Sequence, residues 1–133
     1  MNATRTSGEH GRRALLIDDN KAVRGALYEI VKGLGYDTDA AASGREGLAL
    51  FETNHYDVVL TDVLMPGMTG FEVLEAVRLR NPKIPVVIVT AAAIDDADWR
   101  VTRPGVALVH KPVDVAYLES TLAQVLQDPE LPR

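Results

Sequence analysis

Tyr56-Asp57-Val58-Val59-Leu60-Thr61-Asp62-Val63-Leu64-Met65-Pro66-Gly67 is a short apolar run that ends in a carboxylate and then breaks into a turn. A run this short and this continuously aliphatic reads as a strand covered on both faces. Two other runs end in the same manner. Leu15-Leu16-Ile17 leads into Asp18-Asp19, and Val106-Ala107-Leu108-Val109-His110 leads into Lys111-Pro112. In an open parallel sheet, reaction and ligand sites gather beyond the carboxyl ends of the strands. Three acids and one lysine delivered by three strand tips therefore read as one site.

Outward from this stretch, apolar runs alternate with helical periods. The first strand is expected over about Arg13 to Asp18. Asn20 is placed to cap a helix whose apolar face is Val23, Leu27, Ile30, Val31 and Leu34, and Gly35 stops it. A weaker strand is expected over Tyr36 to Ala42. Ser43 followed by Glu46 forms a capping pattern for a helix carrying Leu48 and Phe51. After the third strand, Asp57 to Thr61, Thr69 and Glu72 repeat that pattern, with Phe71, Leu74 and Val77 facing inward. Pro82 and Pro85 bracket the turn into Val86-Val87-Ile88-Val89-Thr90. Asp95 to Val101 is readable as a short helix, which Pro104 keeps from growing. After the fifth strand, Val106 to His110, a last helix is expected over about Asp114 to Gln127, burying Val115, Leu118, Leu122, Val125 and Leu126.

Five strands alternating with helices specify an α/β fold: a doubly wound, five-stranded parallel sheet with right-handed crossovers and the order 2-1-3-4-5. Residues 13–127 form the expected domain, residues 1–12 a flexible lead and residues 128–133 a C-terminal tail. With 133 residues there is room for one core and little more. The chain is 47% hydrophobic and 25% charged, as ordinary globules are. A net charge of −5 argues against a nucleic-acid surface, which needs clustered Lys and Arg. The absence of cysteine excludes disulfides, thiol catalysis and thiolate metal sites. No apolar run approaches the roughly 20 residues of a membrane span. The polar Met1–Arg12 segment has no signal-peptide core, and a cytoplasmic location is expected.

Taken alone, Asp18-Asp19 reads as a turn and helix cap, Lys111 as a solvated strand-end lysine, and Thr90 as a β-branched strand residue. Together they read differently. Two carboxylates about 4 Å apart repel by about 4 kcal/mol in a surface-like dielectric, so three gathered acids call for a cation. Hard oxygen donors without cysteine or a nearby histidine favour Mg2+ over zinc or copper. His10 falls in the lead, His55 in a turn and His110 on an edge strand facing outward, and none has a partner at helical metal-binding spacing.

In order and near the usual spacing, Asp18-Asp19, Asp62-Val63-Leu64-Met65-Pro66-Gly67-Met68-Thr69-Gly70, Thr90-Ala91 and Lys111-Pro112 make the chain resemble the receiver domain of two-component response regulators. The resemblance covers about Arg13 to Gln127 and implies a flavodoxin-like receiver fold. It also implies a phosphorylation-controlled switch rather than an enzyme. Asp62 would accept a phosphoryl group from the phosphohistidine of a histidine kinase or phosphotransfer protein. Asp18, Asp19, Asp62 and the Leu64 backbone carbonyl would hold Mg2+, Asp18 through a water. Lys111, Thr90 and the Ala91 N–H would bind the phosphoryl group, and Thr90 would move toward it in the switch. The implied downstream protein is unknown. If a homodimer forms, its surface would be the fourth helix, fifth strand and last helix. With no room for an output domain, the chain reads as a stand-alone regulator, a relay intermediate or an excised domain.

Several positions depart from the family pattern. Leu108 replaces the usual aromatic three residues before the lysine. The segment between Thr90 and Lys111 is short and carries Pro104, so its helix is expected to be short or irregular, with Trp99 either a partner contact or packed on a strand. Leu64 and Ala92 offer no group to orient water, which implies slow self-dephosphorylation. Three competing readings conflict with the residues present. A phosphorylation-independent pseudo-receiver conflicts with the intact acids, Thr90 and Lys111. An aspartyl-phosphate hydrolase needs an acid where Leu64 stands. A flavin module needs a phosphate-cradling loop where Asp18-Asp19-Asn20 is acidic.

Overall fold

Strand and helix alternate along the chain as far as the fourth strand, and the fifth strand follows it with no helix between. The computed structural model describes residues 11–127. Of the lead expected over residues 1–12 only Gly11 and Arg12 fall among these, and His10 and the tail expected over 128–133 lie outside them. The described residues contain β1 (Arg13–Ile17), α1 (Lys21–Gly33), β2 (Asp37–Ala41), α2 (Gly44–Thr53), β3 (Val58–Thr61), α3 (Gly70–Arg80), β4 (Val86–Thr90), β5 (Val106–His110) and α4 (Val115–Gln127).

All strand pairs are parallel, in the order β2-β1-β3-β4-β5, as the sequence predicts. Ile17 pairs with Thr61, Thr61 with Ile88, and Thr90 with His110. The tips of β1, β3, β4 and β5 therefore share one edge of the sheet. Strands β1, β3 and β4 are buried on both faces, so the core divides into two layers. One holds Leu16, Leu27, Val31, Leu60, Val89, Leu118 and Leu122, and the other Leu15, Ile17, Val59, Val73, Leu74, Val77 and Ile88. Each fully buried aliphatic side chain contributes about 1.5–3 kcal/mol.

The three predicted caps form. Asn20 accepts from the Val23 N–H, Ser43 from the Glu46 N–H, and Thr69 from the Glu72 N–H. Thr69 and Glu72 close a full capping box, whereas Glu46 reaches past Ser43 to the Ala42 N–H at 2.8 Å. Along α1, Leu27 and Val31 are buried and Val23, Ile30 and Leu34 pack beside them.

Two expectations are corrected. No helix forms over Asp95 to Val101. Asp95 Oδ1 accepts from the Ala97 N–H at 2.8 Å and Asp98 Oδ1 from the Arg100 N–H at 2.9 Å. These local side-chain bonds satisfy the backbone as turns and compete with a helix. Val115 is 45% exposed, whereas Val113, just before α4, packs against the core. Phe71 is half-buried, with the Arg100 guanidinium 4.0 Å over its ring. Among the described residues, no helix is long and apolar enough to cross a membrane.

Candidate functional site

Asp18, Asp62 and Lys111 are each hooked to a neighbouring strand through their own backbone N–H. The Asp18 N–H donates to Ala41 O at 3.1 Å, the Asp62 N–H to Ile17 O at 3.1 Å, and the Lys111 N–H to Thr90 O at 2.9 Å. The ladder thus continues one residue past each strand and fixes where the side chains start.

The side chains then converge. Asp18, 1% exposed, and Asp62 are bridged by Lys111, whose Nζ lies 2.8 Å from Asp18 Oδ2 and 2.9 Å from Asp62 Oδ2. The fully buried Thr90 donates through Oγ1 to Asp62 Oδ1 at 2.7 Å and accepts from the Ala92 N–H at 3.1 Å. Asp62 Oδ1 also accepts from the N–H groups of Val63 at 2.6 Å and Leu64 at 3.4 Å. Asp19 is exposed, and one carboxylate oxygen from each of Asp18, Asp19 and Asp62 falls within 4.8 Å of the others.

Burial by itself raises the pKa of Asp62, but hydrogen bonds from Lys111 and Thr90, the lysine charge and the Val63 N–H outweigh it and hold the carboxyl below its ordinary value. Burial likewise opposes the charged form of Lys111, and its bonds to Asp18 and Asp62 more than compensate, raising its pKa. Asp62 and Lys111 are therefore both ionised at neutral pH. Its donor set, all carboxylate and with neither sulfur nor imidazole, fits a hard divalent cation and is compatible with Mg2+.

Of the residues singled out by sequence, Asp18, Asp19, Asp62, Thr90 and Lys111 meet here. Leu64 stands in the loop after β3 with its side chain 66% exposed, and Ala91 opens the exposed loop after β4. His55 and His110 stay outside, 3.3 Å from Asp57 and 3.2 Å from Asp96.

Gly70 plays a part that its place in the motif did not explain. A Cβ there would lie 2.0 Å from the Asp62 carbonyl oxygen and 2.9 Å from Val63 Cα. The start of α3 rests directly on the Asp62 backbone, and the Gly70 N–H donates to Val63 O at 2.9 Å. Gly67, with φ +84°, turns the chain between them.

A family model described as the response regulator receiver domain matches residues 14–123. The chain belongs to that family. Receiver domains serve two-component signalling as phosphoacceptors that interact with histidine kinases or phosphotransfer proteins. This receiver domain is similar to a response regulator receiver protein of Anaeromyxobacter sp. (strain Fw109-5), 37% identical over 105 residues, which are 78% of this chain and 44% of that protein. The chain spans half or less of the length of the curated relatives it matches. In structure, the receiver domain is similar to the chemotaxis protein CheY4 of Vibrio cholerae, with a TM-score of 0.79 and 30% identity over 86% of this chain and 98% of that one. It is also similar to the response regulator TrrA of Thermotoga maritima in complex with Mg2+-BeF, with a TM-score of 0.78 and 28% identity over 86% and 99% of the two chains.

Proposed function

We propose that this receiver domain is a phosphorylation-controlled switch in which Asp62 accepts a phosphoryl group from the phosphohistidine of a histidine kinase or phosphotransfer protein. The observation that carries the reading is the bridge made by Lys111 between Asp18 and Asp62, with the Thr90 hydroxyl on the same Asp62 carboxylate. An Asp62 carboxylate oxygen attacks phosphorus, and the P–N bond breaks with its electron pair leaving on the donor imidazole. The product is an aspartyl phosphate, and no general base is needed because Asp62 is already ionised.

Phosphoryl transfer depends on positioning and on neutralising the equatorial oxygens. Lys111 supplies a fixed charge beside the acceptor, and Thr90 and the Ala91 N–H supply hydrogen-bond donors at the next strand tip. Asp18, Asp19, Asp62 and the Leu64 carbonyl are the proposed Mg2+ ligands. The bound cation would supply charge neutralisation of the acids and of the transferring group. The binding of Mg2+-BeF by TrrA supports this choice of ion.

The switch unit is taken as residues 13–127, acting in the cytoplasm. Its output would pass to a downstream protein, or to a second copy, across the loop 91–105, β5 and α4, where Trp99 and Tyr117 are 68% and 55% exposed. The deciding experiment is intact mass after incubation with Mg2+ and acetyl phosphate. A gain of one phosphoryl group, absent in Asp62→Asn, is expected. No gain in the wild-type chain, with Mg2+ bound, would favour a phosphorylation-independent binding module.

A further inference from the structure

Asp18 and Asp19 are adjacent in sequence but held very differently. The Asp18 carboxylate is fixed at both oxygens, by the Asn20 N–H at 2.9 Å and by Lys111 Nζ at 2.8 Å. Asp19 is exposed, and among the described residues no hydrogen bond fixes its carboxylate. Its direction must come from the backbone beneath it. There one group reaches both residues: Arg24 Nη1 lies 3.0 Å from Asp18 O and 3.5 Å from Asp19 O.

The position of that arginine is unfavourable on two counts. It lies near the start of α1, where the helix dipole favours anions, and a cation beside a dication site repels the ion. A surface charge serving helix stability alone would be better placed at the other end of α1, where Lys32 stands. What Arg24 gains at its position is the pair of carbonyl contacts.

We propose that Arg24 is a positioning residue for the cation site, its guanidinium clamping the carbonyls of Asp18 and Asp19 so that the otherwise free Asp19 carboxylate faces the ion. The inference rests on reading the acid cluster as a Mg2+ site. Groups that orient metal ligands from behind typically change affinity by about tenfold or more when removed.

The sign of the effect separates this role from simple charge. If Arg24 acts only as a nearby positive charge, Arg24→Gln removes repulsion and tightens Mg2+ binding. If it positions Asp19, the same substitution weakens binding despite the lost repulsion. Calorimetric Mg2+ titration of the full chain reads this directly, with the melting temperature measured without Mg2+ to register any purely structural loss. The expected result is about a tenfold weaker Kd in Arg24→Gln. Arg24→Lys, which keeps the charge but has a shorter reach, should fall between the two. An unchanged or tighter Kd in Arg24→Gln overturns the proposal. Should that variant not fold, Arg24→Lys decides, and a Kd equal to wild type overturns it. Absence of Mg2+ binding in the wild-type chain would instead remove the cation-site reading itself.

Discussion

Thr90 Oγ1 lies 2.7 Å from Asp62 Oδ1, so the hydroxyl at the tip of β4 donates straight to the carboxylate at the tip of β3. The Thr90 side chain is turned inward and fully buried. Thr90→Val keeps the shape and removes both the donor to Asp62 and the acceptor for the Ala92 N–H. A loss of about 1–3 kcal/mol in urea unfolding is expected, together with a raised Asp62 pKa. Unchanged stability and titration would mean that the bond contributes nothing.

Lys111 is the one cation bonded to both Asp18 and Asp62 among the described residues. Lys111→Met leaves two largely buried carboxylates facing each other. Breaking a buried pair by removing one partner costs about 3–5 kcal/mol. The variant should recover stability on addition of Mg2+, more steeply than wild type does, because the ion replaces the lost charge. Thermal melts across a Mg2+ series would show it.

The pH dependence follows from the two shifted groups. Asp62 has a folded-state pKa below its ordinary 3.8, so its contribution is complete above pH 3.8 and is lost as pH falls through the folded value. Lys111 has a folded-state pKa above its ordinary 10.5, so its contribution is complete below pH 10.5 and is lost as pH rises through the folded value. Without Mg2+, the site should stabilise the fold across the whole interval between. Urea midpoints measured against pH should show an acid limb that is shallower in Asp62→Asn.

Gly70 and Gly25 should answer the same substitution in opposite directions. Gly70→Ala drives a Cβ into the Asp62 backbone, where neither partner is a flexible side-chain end. A loss of at least about 2 kcal/mol is expected, with weaker Mg2+ binding as the Asp62 loop shifts. Gly25 lies within α1 with nothing within 4 Å of its would-be Cβ. Gly25→Ala should stabilise the chain by about 0.5–1 kcal/mol. Equal effects at the two sites would contradict the close approach at Gly70.

Leu64 is 66% exposed beside the proposed acceptor and carries no group that orients water. Once phosphorylated and freed of donor, the wild-type chain is expected to lose its phosphoryl group slowly, and Leu64→Glu to lose it faster. Decay within seconds in the wild-type chain, followed by mass, would contradict this.

The sequence by itself determined the elements and their order. Aliphatic runs of strand length, helical spacing such as Leu27 with Val31, and caps at Asn20, Ser43 and Thr69 are short-range signals, because the bonds and periods behind them span only a few residues. From these and the parallel-sheet rule, the gathering of Asp18, Asp19, Asp62, Thr90 and Lys111 was also legible. The tertiary structure alone decided what depends on distance across the fold. Lys111 reaches Asp18 over 93 residues of sequence, and only packing brings α3 close enough for Gly70 to rest on Asp62. The absence of a helix over Asp95–Val101 reflects side-chain bonds that compete with helical ones at similar energy, so the aliphatic pattern could not arbitrate. Val115 shares the helical spacing of Leu118 and Leu122, yet stands exposed, while Val113 packs against the core just before the helix. Periodicity assigns a residue to a face of a helix, and the placement of that helix on the sheet decides which turns of the face are covered.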